Sequence, residues 1–191
     1  MEKTPLAAFK KNAKRKKQVI VFIDESGLSE RPHQVKTWAP KGQTPQLQIS
    51  FSWGKLSLIG GISFWKCYFK MHRGSITSKE LIGFLKSLRR QIKRKLLIIW
   101  DGLPAHRSKA VREYIASTKG KIEAERLPAY APELNPVEYL WANLKHHELA
   151  NFCPENLAEL SSFAKKKLAR IRRRPKIVRA CWKLSQLSLG L

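Results

Sequence analysis

Three acidic residues lie at positions where their carboxylates could form a common site. Asp24 directly follows the apolar run Val19–Ile23, and Asp101 directly follows the apolar run Leu96–Trp100. Short unbroken apolar runs are typical of strands buried on both faces of a parallel sheet, and ligands gather beyond the carboxyl ends of such strands. Glu138 stands near the start of a predicted helix. We therefore expect the three carboxylates to meet in one place.

Carboxylates that lie together repel each other unless a cation sits between them. Hard divalent ions with oxygen ligands are the natural solution. A pair of such ions activates a water or hydroxyl group and stabilises the leaving oxygen in phosphodiester displacement. These considerations raise the hypothesis that Asp24, Asp101 and Glu138 are catalytic and bind two Mg²⁺ ions, for which Mn²⁺ can substitute, in an enzyme that cuts and joins DNA strands.

Each of the three acids also has a structural interpretation. An Asp at the end of a strand can simply turn the chain, and Asp101-Gly102 is a common turn dipeptide. Glu138 occupies the third helical position after an Asn135 cap, which is where a capping box places Glu. Spacing and residue type alone do not decide between these roles and metal binding.

Two neighbouring acids are expected not to bind the metal. Glu25 follows Asp24 in a strand and should point to the opposite face of the sheet. Glu133 lies in a predicted loop, where its side chain is expected to be solvated.

The composition favours a polyanionic partner. The 191 residues include 38 Lys and Arg but only 14 Asp and Glu, which gives a net charge of +24. Such an excess favours nucleic acid and, less strongly, an anionic membrane surface. The three cysteines have no spacing typical of a disulfide framework or a zinc site. No apolar stretch is long enough to span a bilayer as a helix.

The apolar pattern predicts five strands and several helices in the order β-β-β-α-β-α-β-α. The strands are expected at about 19–24, 55–64, 66–72, 96–101 and 121–126. Helices are expected from a capping box at Thr77 to about Ile92, from a Ser108 cap to about Thr118, and at about 136–150 and 154–172, with a short helical tail after them. Glu25 to Gly27 are expected to turn the chain, and Gly60-Gly61 to form a bulge.

This order of elements is that of a ribonuclease-H-like domain, and four motifs give a narrower resemblance. They are Phe22–Gly27, Thr37–Pro45, Ile99–Gly102 with Ala105-His106, and Tyr130–Glu138. Together they resemble the DDE catalytic domain of mariner-type insertion-sequence transposases. The sequence departs from the family in having Gly102 where Asn is usual, and in a slightly longer gap between Asp101 and Glu138.

The resemblance implies an α/β fold with a ribonuclease-H-like mixed five-stranded sheet flanked by helices. It implies cleavage of double-stranded DNA at transposon terminal repeats, strand transfer into target DNA, commonly at TA, and a homodimer on paired ends. Family members carry helix-turn-helix modules before the catalytic domain, so a separately encoded helix-turn-helix product is a further expected partner. The expected location is the bacterial cytoplasm, at the nucleoid. The alternative is a catalytically weak or inactive DNA-binding relic or regulator of the element.

Three regions are expected along the chain: a basic linker remnant at 1–17, the catalytic domain at 18–152, and a basic helical C-terminal extension at 153–191. Trp38 and Trp53 are candidates for stacking on bases, although core packing is the alternative. The residues expected to contact DNA are Lys36, Trp38, His106, Arg107, Lys145, Arg172 and Arg173.

Overall fold

A computed structural model describes residues 5–49, 54–128 and 131–185, with the side chains of residues 5–8 excepted. Trp53 and Tyr130, to which the sequence analysis gave a possible stacking role and a place in a motif, lie outside these residues. The strands are β1 (Val19–Ser29), β2 (Lys55–Ile62), β3 (Cys67–Arg73), β4 (Leu96–Trp100) and β5 (Ile122–Arg126). The helices are α1 (Pro5–Arg15), α2 (Ser78–Gln91), α3 (Lys109–Ser117), α4 (Pro136–Asn143), α5 (Leu157–Arg172) and α6 (Pro175–Leu184).

The five strands form one mixed sheet in the order β3-β2-β1-β4-β5. The first three strands are antiparallel neighbours, whereas β4 runs parallel to β1, and β5 runs parallel to β4. All five residues of β4 are buried, as expected for a central parallel strand covered on both faces. The predicted fold class, a mixed five-stranded sheet flanked by helices, is confirmed.

The first strand is longer than the sequence pattern indicated. Glu25 to Gly27 do not turn the chain; they continue β1 to Ser29 because β2 offers them an antiparallel partner along this whole length. The pairing is continuous through Asp24↔Gly60 and Ile23↔Gly61, so the predicted bulge at the glycine pair is also wrong. The polar residues at the end of β1 are typical of a turn, and their pairing with β2 could not be predicted from β1 alone.

Basic residues near the amino terminus form a helix where the sequence analysis expected a mobile linker. In α1, Phe9 and Ala13 are one helical turn apart, and both pack against the main hydrophobic core, with Ala13 buried. The lysines and arginines of this segment obscured that short apolar stripe. Helix α1 contributes to the same core as the sheet, and the division of the chain into three regions stays a prediction.

Helices cover both faces of the sheet. One face packs against α2 and α3, whose buried side chains include Leu85, Leu88 and Val111. The other face packs against α4, α5 and α6. The predicted caps are present: Thr77 and Glu80 form a capping box, and the Ser108 side chain accepts a hydrogen bond from the Val111 N–H group.

The C-terminal helices pack into the core of the sheet. The Trp182 ring packs edge-on against Phe22 at 5.3 Å between ring centroids, and its Nε1 donates a 3.0 Å hydrogen bond to the Ser63 carbonyl. Helix α5 begins at Leu157 after an Asn156 cap, slightly later than predicted. Helix α4 continues into a π-helical turn at Leu144–Glu148. Among the described helices, none combines the length and the hydrophobicity needed to cross a bilayer.

Candidate active site

The register of β1 and β4 places Asp24 and Asp101 side by side. These strands are parallel, and Phe22 pairs with Ile99. Each Asp lies two residues beyond that pair, just past the end of the parallel pairing between β1 and β4. Both acids line one cavity of about 390 Å³. The two aspartates therefore share one concave surface, and their role as catalytic metal ligands stays a prediction.

Glu138 reaches the same cavity from the first turn of α4. The Asn135 side chain caps this helix by accepting the Val137 N–H group at 3.1 Å, and Pro136 occupies the first helical position. The Asn135 N–H group donates to the Pro132 carbonyl at 2.8 Å, so it is already paired without Glu138. The capping-box interpretation of Glu138 is therefore not supported. Its carboxylate is exposed and lines the cavity together with Asp24 and Asp101.

A tryptophan holds Asp24 in place. Asp24 is buried, with 6% of its surface exposed, and its Oδ2 accepts a 2.8 Å hydrogen bond from Trp141 Nε1. Trp141 lies one helical turn after Glu138 on α4. The same helix therefore presents one acid to the cavity and orients another. Trp141 also packs in the hydrophobic core, and its spacing from Glu138 was the available sequence signal for this second role.

Burial, together with the charges of Glu138 and Glu25, raises the pKa of Asp24 to about 8. The Trp141 hydrogen bond opposes this shift without cancelling it. A carboxylate with a pKa near 8 is poorly stabilised as an anion by the surrounding protein. A divalent cation between the three acids would supply the missing charge, and the all-oxygen donor set fits Mg²⁺ or Mn²⁺.

Asp101 has the opposite electrostatic environment. Partial burial raises its pKa, but hydrogen bonds from His106 and from the Leu103 N–H group outweigh burial, so the pKa lies below its ordinary value. The Leu103 N–H group donates to Asp101 Oδ1 at 3.0 Å, and His106 Nδ1 lies 2.9 Å from the same oxygen. Asp101 is therefore held ionised and oriented before any cation binds.

His106 is clamped between two carboxylates. Its Nε2 lies 3.0 Å from Glu25 Oε1, opposite the contact of its Nδ1 with Asp101. The ring stacks on Trp100 at 4.6 Å between centroids. Burial lowers its pKa, but the hydrogen bonds to Asp101 and Glu25 outweigh burial and raise the pKa to about 9. With both ring nitrogens facing carboxylate oxygens, the imidazolium donates to both acids.

Glu25 has a role that the sequence analysis did not anticipate. Glu25 and Asp24 contact partners on opposite faces of β1, as the alternation of a strand predicts. The Glu25 carboxylate nevertheless contributes to the site, because it orients His106. Its Oε2 is buried and has no hydrogen-bond partner among the described residues. The alternation of the strand gives the face on which Glu25 lies, but not its partner on that face, His106.

A second group of possible metal ligands shares Asp101. The nearest ligand atoms of Glu25, Asp101 and His106 all lie within 4.8 Å of one another, which is not so for Asp24, Asp101 and Glu138 among the described residues. We nevertheless favour the three acids as the metal ligands. Both nitrogens of His106 are engaged in its ion pairs, and a protonated imidazole cannot bind a metal. The contacts of His106 instead orient Asp101.

Replacement of Glu25 by Gln is expected to lower the pKa of His106 from about 9, because it removes a charge and a charged acceptor that raise it. The pKa is measurable by NMR titration of the His106 ring. The raised pKa of His106 gives stability that is fully present below about pH 6.5 and is lost as the pH rises through about 9. The variant should lose part of that stability. An unchanged His106 titration would contradict the clamp.

Close packing of α4 on the sheet depends on Gly60. A Cβ atom at Gly60 would lie 2.6 Å from Trp141 Cη2, which is closer than non-bonded atoms approach. Gly60 also pairs with Asp24 across β1 and β2. The absence of a side chain at Gly60 therefore leaves room for the Trp141 ring, whose Nε1 reaches Asp24. A Gly-Gly pair in a strand was the available signal, but it predicted a bulge rather than this close approach.

Gly60→Ala is expected to displace Trp141 and to destabilise the fold by about 1–3 kcal/mol, the usual range for an overpacked core. Thermal unfolding monitored by circular dichroism measures the change. Gly27→Ala in the neighbouring strand β1 is the matched control, since a Cβ atom at Gly27 meets no other atom within 4 Å. Equal stability of the two variants would remove the proposed role of Gly60.

Most of the predicted DNA-contacting residues lie on the surface away from this cavity. Trp38 is 99% exposed, in a segment without helix or strand that also carries exposed Lys36. Arg107 is exposed next to the clamp. His106 is buried and its contacts are with Asp101 and Glu25, so its contact with DNA stays a prediction.

The remaining three cations lie on the face of the sheet that α4, α5 and α6 cover. Lys145 is half-buried in the π-helical turn. Arg172 stands 5.7 Å from the Phe69 ring centroid at the end of α5, and Arg173 caps that helix. None of the three lines the acidic cavity. Arg126, which was not predicted, lines it from the end of β5 and places a cation near the three acids.

Comparison with known proteins agrees with this geometry. Residues 19–161 match the family model described as DDE superfamily endonuclease, DDE_3. The fold is similar to that of the Mos1 transposase in a paired-end complex with the left transposon end, with a TM-score of 0.71 and 20% identity over 95% of this chain and 57% of that chain. The Mos1 catalytic domain alone matches with a TM-score of 0.66 and 17% identity over 95% of this chain and 85% of that domain.

A third similar structure is the Mos1 strand transfer complex, with a TM-score of 0.68 and 22% identity over 95% of this chain and 56% of that chain. This chain therefore spans little more than half of the longer Mos1 chains. A search of curated protein sequences finds no match. At these identities the structural likeness establishes the fold, and the family match carries the membership.

Proposed function

Because the chain belongs to the DDE superfamily endonuclease family, we propose that it is the catalytic part of a transposase that cuts DNA at transposon ends and joins those ends to target DNA. The observation that carries the proposal is the shared cavity lined by Asp24, Asp101 and Glu138. Mos1, which has a similar fold, has been captured with a transposon end and in a strand transfer complex. The net charge of +24 suits a polyanionic substrate.

Asp24, Asp101 and Glu138 would hold two divalent cations, Mg²⁺ or Mn²⁺. When bound, such ions supply the charge that activates a water or a DNA 3′-hydroxyl at neutral pH and that stabilises the leaving 3′-oxygen. Mos1 paired-end complexes with Mn and with Mg support the choice of metal. The chain offers hard oxygen ligands in the same cavity, which suits either ion.

The remaining residues of the site position the acids and the substrate. Trp141 fixes one oxygen of Asp24 and leaves the other free to bind, and His106 fixes Asp101. Arg126 stands at the rim of the cavity, where its guanidinium can hold a phosphate of the strand to be cut. No covalent nucleophile from the protein is needed for this chemistry.

The working assembly is part of the proposal. We infer a homodimer on paired transposon ends, with double-stranded terminal repeats and target DNA as partners and TA as the target dinucleotide. A separately encoded helix-turn-helix product would provide sequence-specific binding of the ends. The proposed location is the bacterial cytoplasm at the nucleoid, where the DNA substrate lies.

A strand-nicking assay tests the proposed function. Wild type is expected to nick labelled terminal-repeat DNA only with Mg²⁺ or Mn²⁺, and Asp101→Ala is expected to lose at least about 10²-fold in rate, the range for removal of one charge-stabilising group. The assay is run with and without any helix-turn-helix product encoded upstream. DNA binding without cleavage under every condition would favour the non-catalytic relic or regulator instead.

A further inference from the structure

A basic groove lies at the opposite end of the parallel strands from the acidic cavity. It occupies about 740 Å³ between the end of α2, the residue preceding β5, and Tyr114 of α3. Its cationic lining residues are Lys86, Arg89, Arg90, Lys93, Arg94, Lys95 and Lys121. Lys95 immediately precedes β4 and Lys121 immediately precedes β5, whereas Asp101 follows the far end of β4. Five residues of β4 separate the groove from Asp101, which corresponds to roughly 17 Å.

These charges are not neutralised within the described part of the chain. None of the seven cations forms an ion pair with a carboxylate of a described residue. The adjacent acid, Glu123, is affected by the charge of Lys95 but pairs with Lys16. Seven like charges around one concave surface repel each other, and a bound polyanion would relieve that repulsion.

Helix capping accounts for only part of this cluster. Arg89 and Arg90 lie in the last turn of α2, where they complement the helix dipole. Lys95 immediately precedes β4 and Lys121 immediately precedes β5, so the end of α2 does not explain these two residues. A surface built only for solubility would mix acids with these bases.

The groove chemistry favours a duplex over a single strand. Proteins that bind single strands offer exposed aromatic rings for base stacking. The aromatic residue lining this groove is Tyr114, which is half-buried and has Lys86 Nζ 5.7 Å from its ring centroid. A row of phosphates along a duplex needs charge and not a stacking surface.

The basic surface continues beyond the groove. Arg94 also lines a neighbouring groove beside α1, whose rim includes Lys14 and Lys17. Its Nη2 donates a 3.2 Å hydrogen bond to the Lys17 carbonyl, which ties the connection before β4 to the segment after α1. Lys14, Lys17 and Arg94 extend the positive charge beyond the first groove, although most of the lining of the second groove is apolar.

We propose that this groove is a second, sequence-independent binding site for the phosphate backbone of a DNA duplex, separate from the duplex segment that is cut at the acids. The identification of the polyanion as DNA rests on the proposed function. A second site of this kind lets one chain hold DNA that is not being cleaved, such as the flank of the element or the target.

The test compares two triple variants of the full chain. Arg90→Gln/Lys93→Gln/Lys121→Gln removes three exposed charges from the groove. Lys55→Gln/Lys79→Gln/Arg112→Gln removes three exposed charges from elsewhere on the surface and is the matched control. Both variants change the net charge equally, so a difference between them reports the place of the charges. Equal thermal unfolding temperatures verify the fold.

Binding is measured over a salt series with a short labelled duplex that lacks terminal-repeat sequence. The slope of log K against log salt is expected to become shallower by about 2–3 in the groove variant, since each lost phosphate contact removes about 0.9. The control should change by less than about 1. Equal slopes in the two variants would overturn the proposal.

A cleavage measurement separates this proposal from the proposed function. At saturating DNA, the groove variant is expected to keep the metal-dependent nicking rate of wild type, because none of its changes touches the three acids. A wild type that binds duplex but does not nick would sink the proposed function, and the salt slopes would still decide the groove.

Discussion

Replacement of Glu138 by Gln is expected to reduce metal-dependent nicking by about 10²–10³-fold, whereas the same replacement of Glu133 should leave the rate within about twofold of wild type. The two residues are five positions apart and both exposed, so they form a matched pair. Glu138 lines the cavity with Asp24 and Asp101, and Glu133 does not. Only the first can bind a cation held by both aspartates.

The physical reason for the difference is the geometry of α4. The Asn135 cap fixes the first helical turn. In a capping box Glu138 would accept a hydrogen bond from the Asn135 N–H group, but this group already donates to the Pro132 carbonyl. The Glu138 side chain is therefore free to bind a metal. Glu133 lies in a short 3₁₀ turn, where its backbone carbonyl accepts the Tyr139 hydroxyl at 3.4 Å.

Rates of nicking at saturating Mn²⁺ measure the prediction, and duplex binding by each variant is the control. Glu138→Gln should bind DNA like wild type, because one neutralised acid changes little in a chain with a net charge of +24. A comparable loss of activity in both variants would mean that the segment as a whole, rather than the carboxylate of Glu138, matters. A loss of nicking in Glu133→Gln alone would mean that Glu133, and not Glu138, is the metal ligand.

The positions of the two aspartates were predictable because they depend on local sequence and on one rule of sheet geometry. Unbroken apolar runs identified β1 and β4 as buried parallel strands, and parallel neighbours bring their carboxyl ends together. The Asn-Pro start of α4 is equally local, because the cap and the first-turn proline fall in consecutive positions. These signals need no knowledge of distant contacts.

The supporting contacts of the site were not predictable in the same way. Trp141 and Asp24 are 117 residues apart, and His106 and Glu25 are 81 residues apart. Each residue alone has an ordinary interpretation: a core tryptophan, a surface histidine, an exposed glutamate. Only the docking of α4 on Gly60 and the continuation of β1 past Asp24 bring these partners together. Long-range packing therefore decided the roles that local patterns left open.

The electrostatics of the two aspartates also could not be read from the sequence, since both follow an apolar strand. Asp24 is buried beside other acids and its pKa is raised to about 8, whereas Asp101 is paired with His106 and its pKa is lowered. One aspartate is held ionised by the protein, and the other needs an added positive charge. That contrast predicts opposite effects of neutralising the two residues on stability.

Asp24→Asn is expected to stabilise the fold in the presence of a chelator at about pH 8, by roughly 2–4 kcal/mol after allowance for relaxation around the buried group. The pKa of Asp24 is about 8 in the folded protein against an ordinary value of 3.8. Between these values the folded state keeps a proton that the unfolded chain releases, so wild-type stability falls as the pH rises through this range. Asn does not ionise and avoids this loss.

Three comparisons isolate the cause. The advantage of Asp24→Asn should shrink toward about pH 4, where the unfolded chain also binds the proton. It should shrink or reverse when Mg²⁺ or Mn²⁺ is added, because the cation binds and stabilises only the ionised wild-type site. Asp101→Asn should instead destabilise the protein near neutral pH, since the lowered pKa of Asp101 reflects favourable hydrogen bonds that are kept while it is ionised.

Thermal unfolding across pH, with chelator and with each metal, measures these differences; for a chain of this size about 1 kcal/mol corresponds to 2–4 °C. An Asp24→Asn variant that is less stable than wild type at every pH would mean that the hydrogen bond from Trp141 to a carboxylate outweighs the cost of burying the charge. Asp24 would then be a structural residue, and a loss of nicking in Asp24→Asn would not identify it as a metal ligand. If Asp24→Asn gains stability and added metal abolishes that gain, the ionised Asp24 lowers the stability of the metal-free fold and binds the cation.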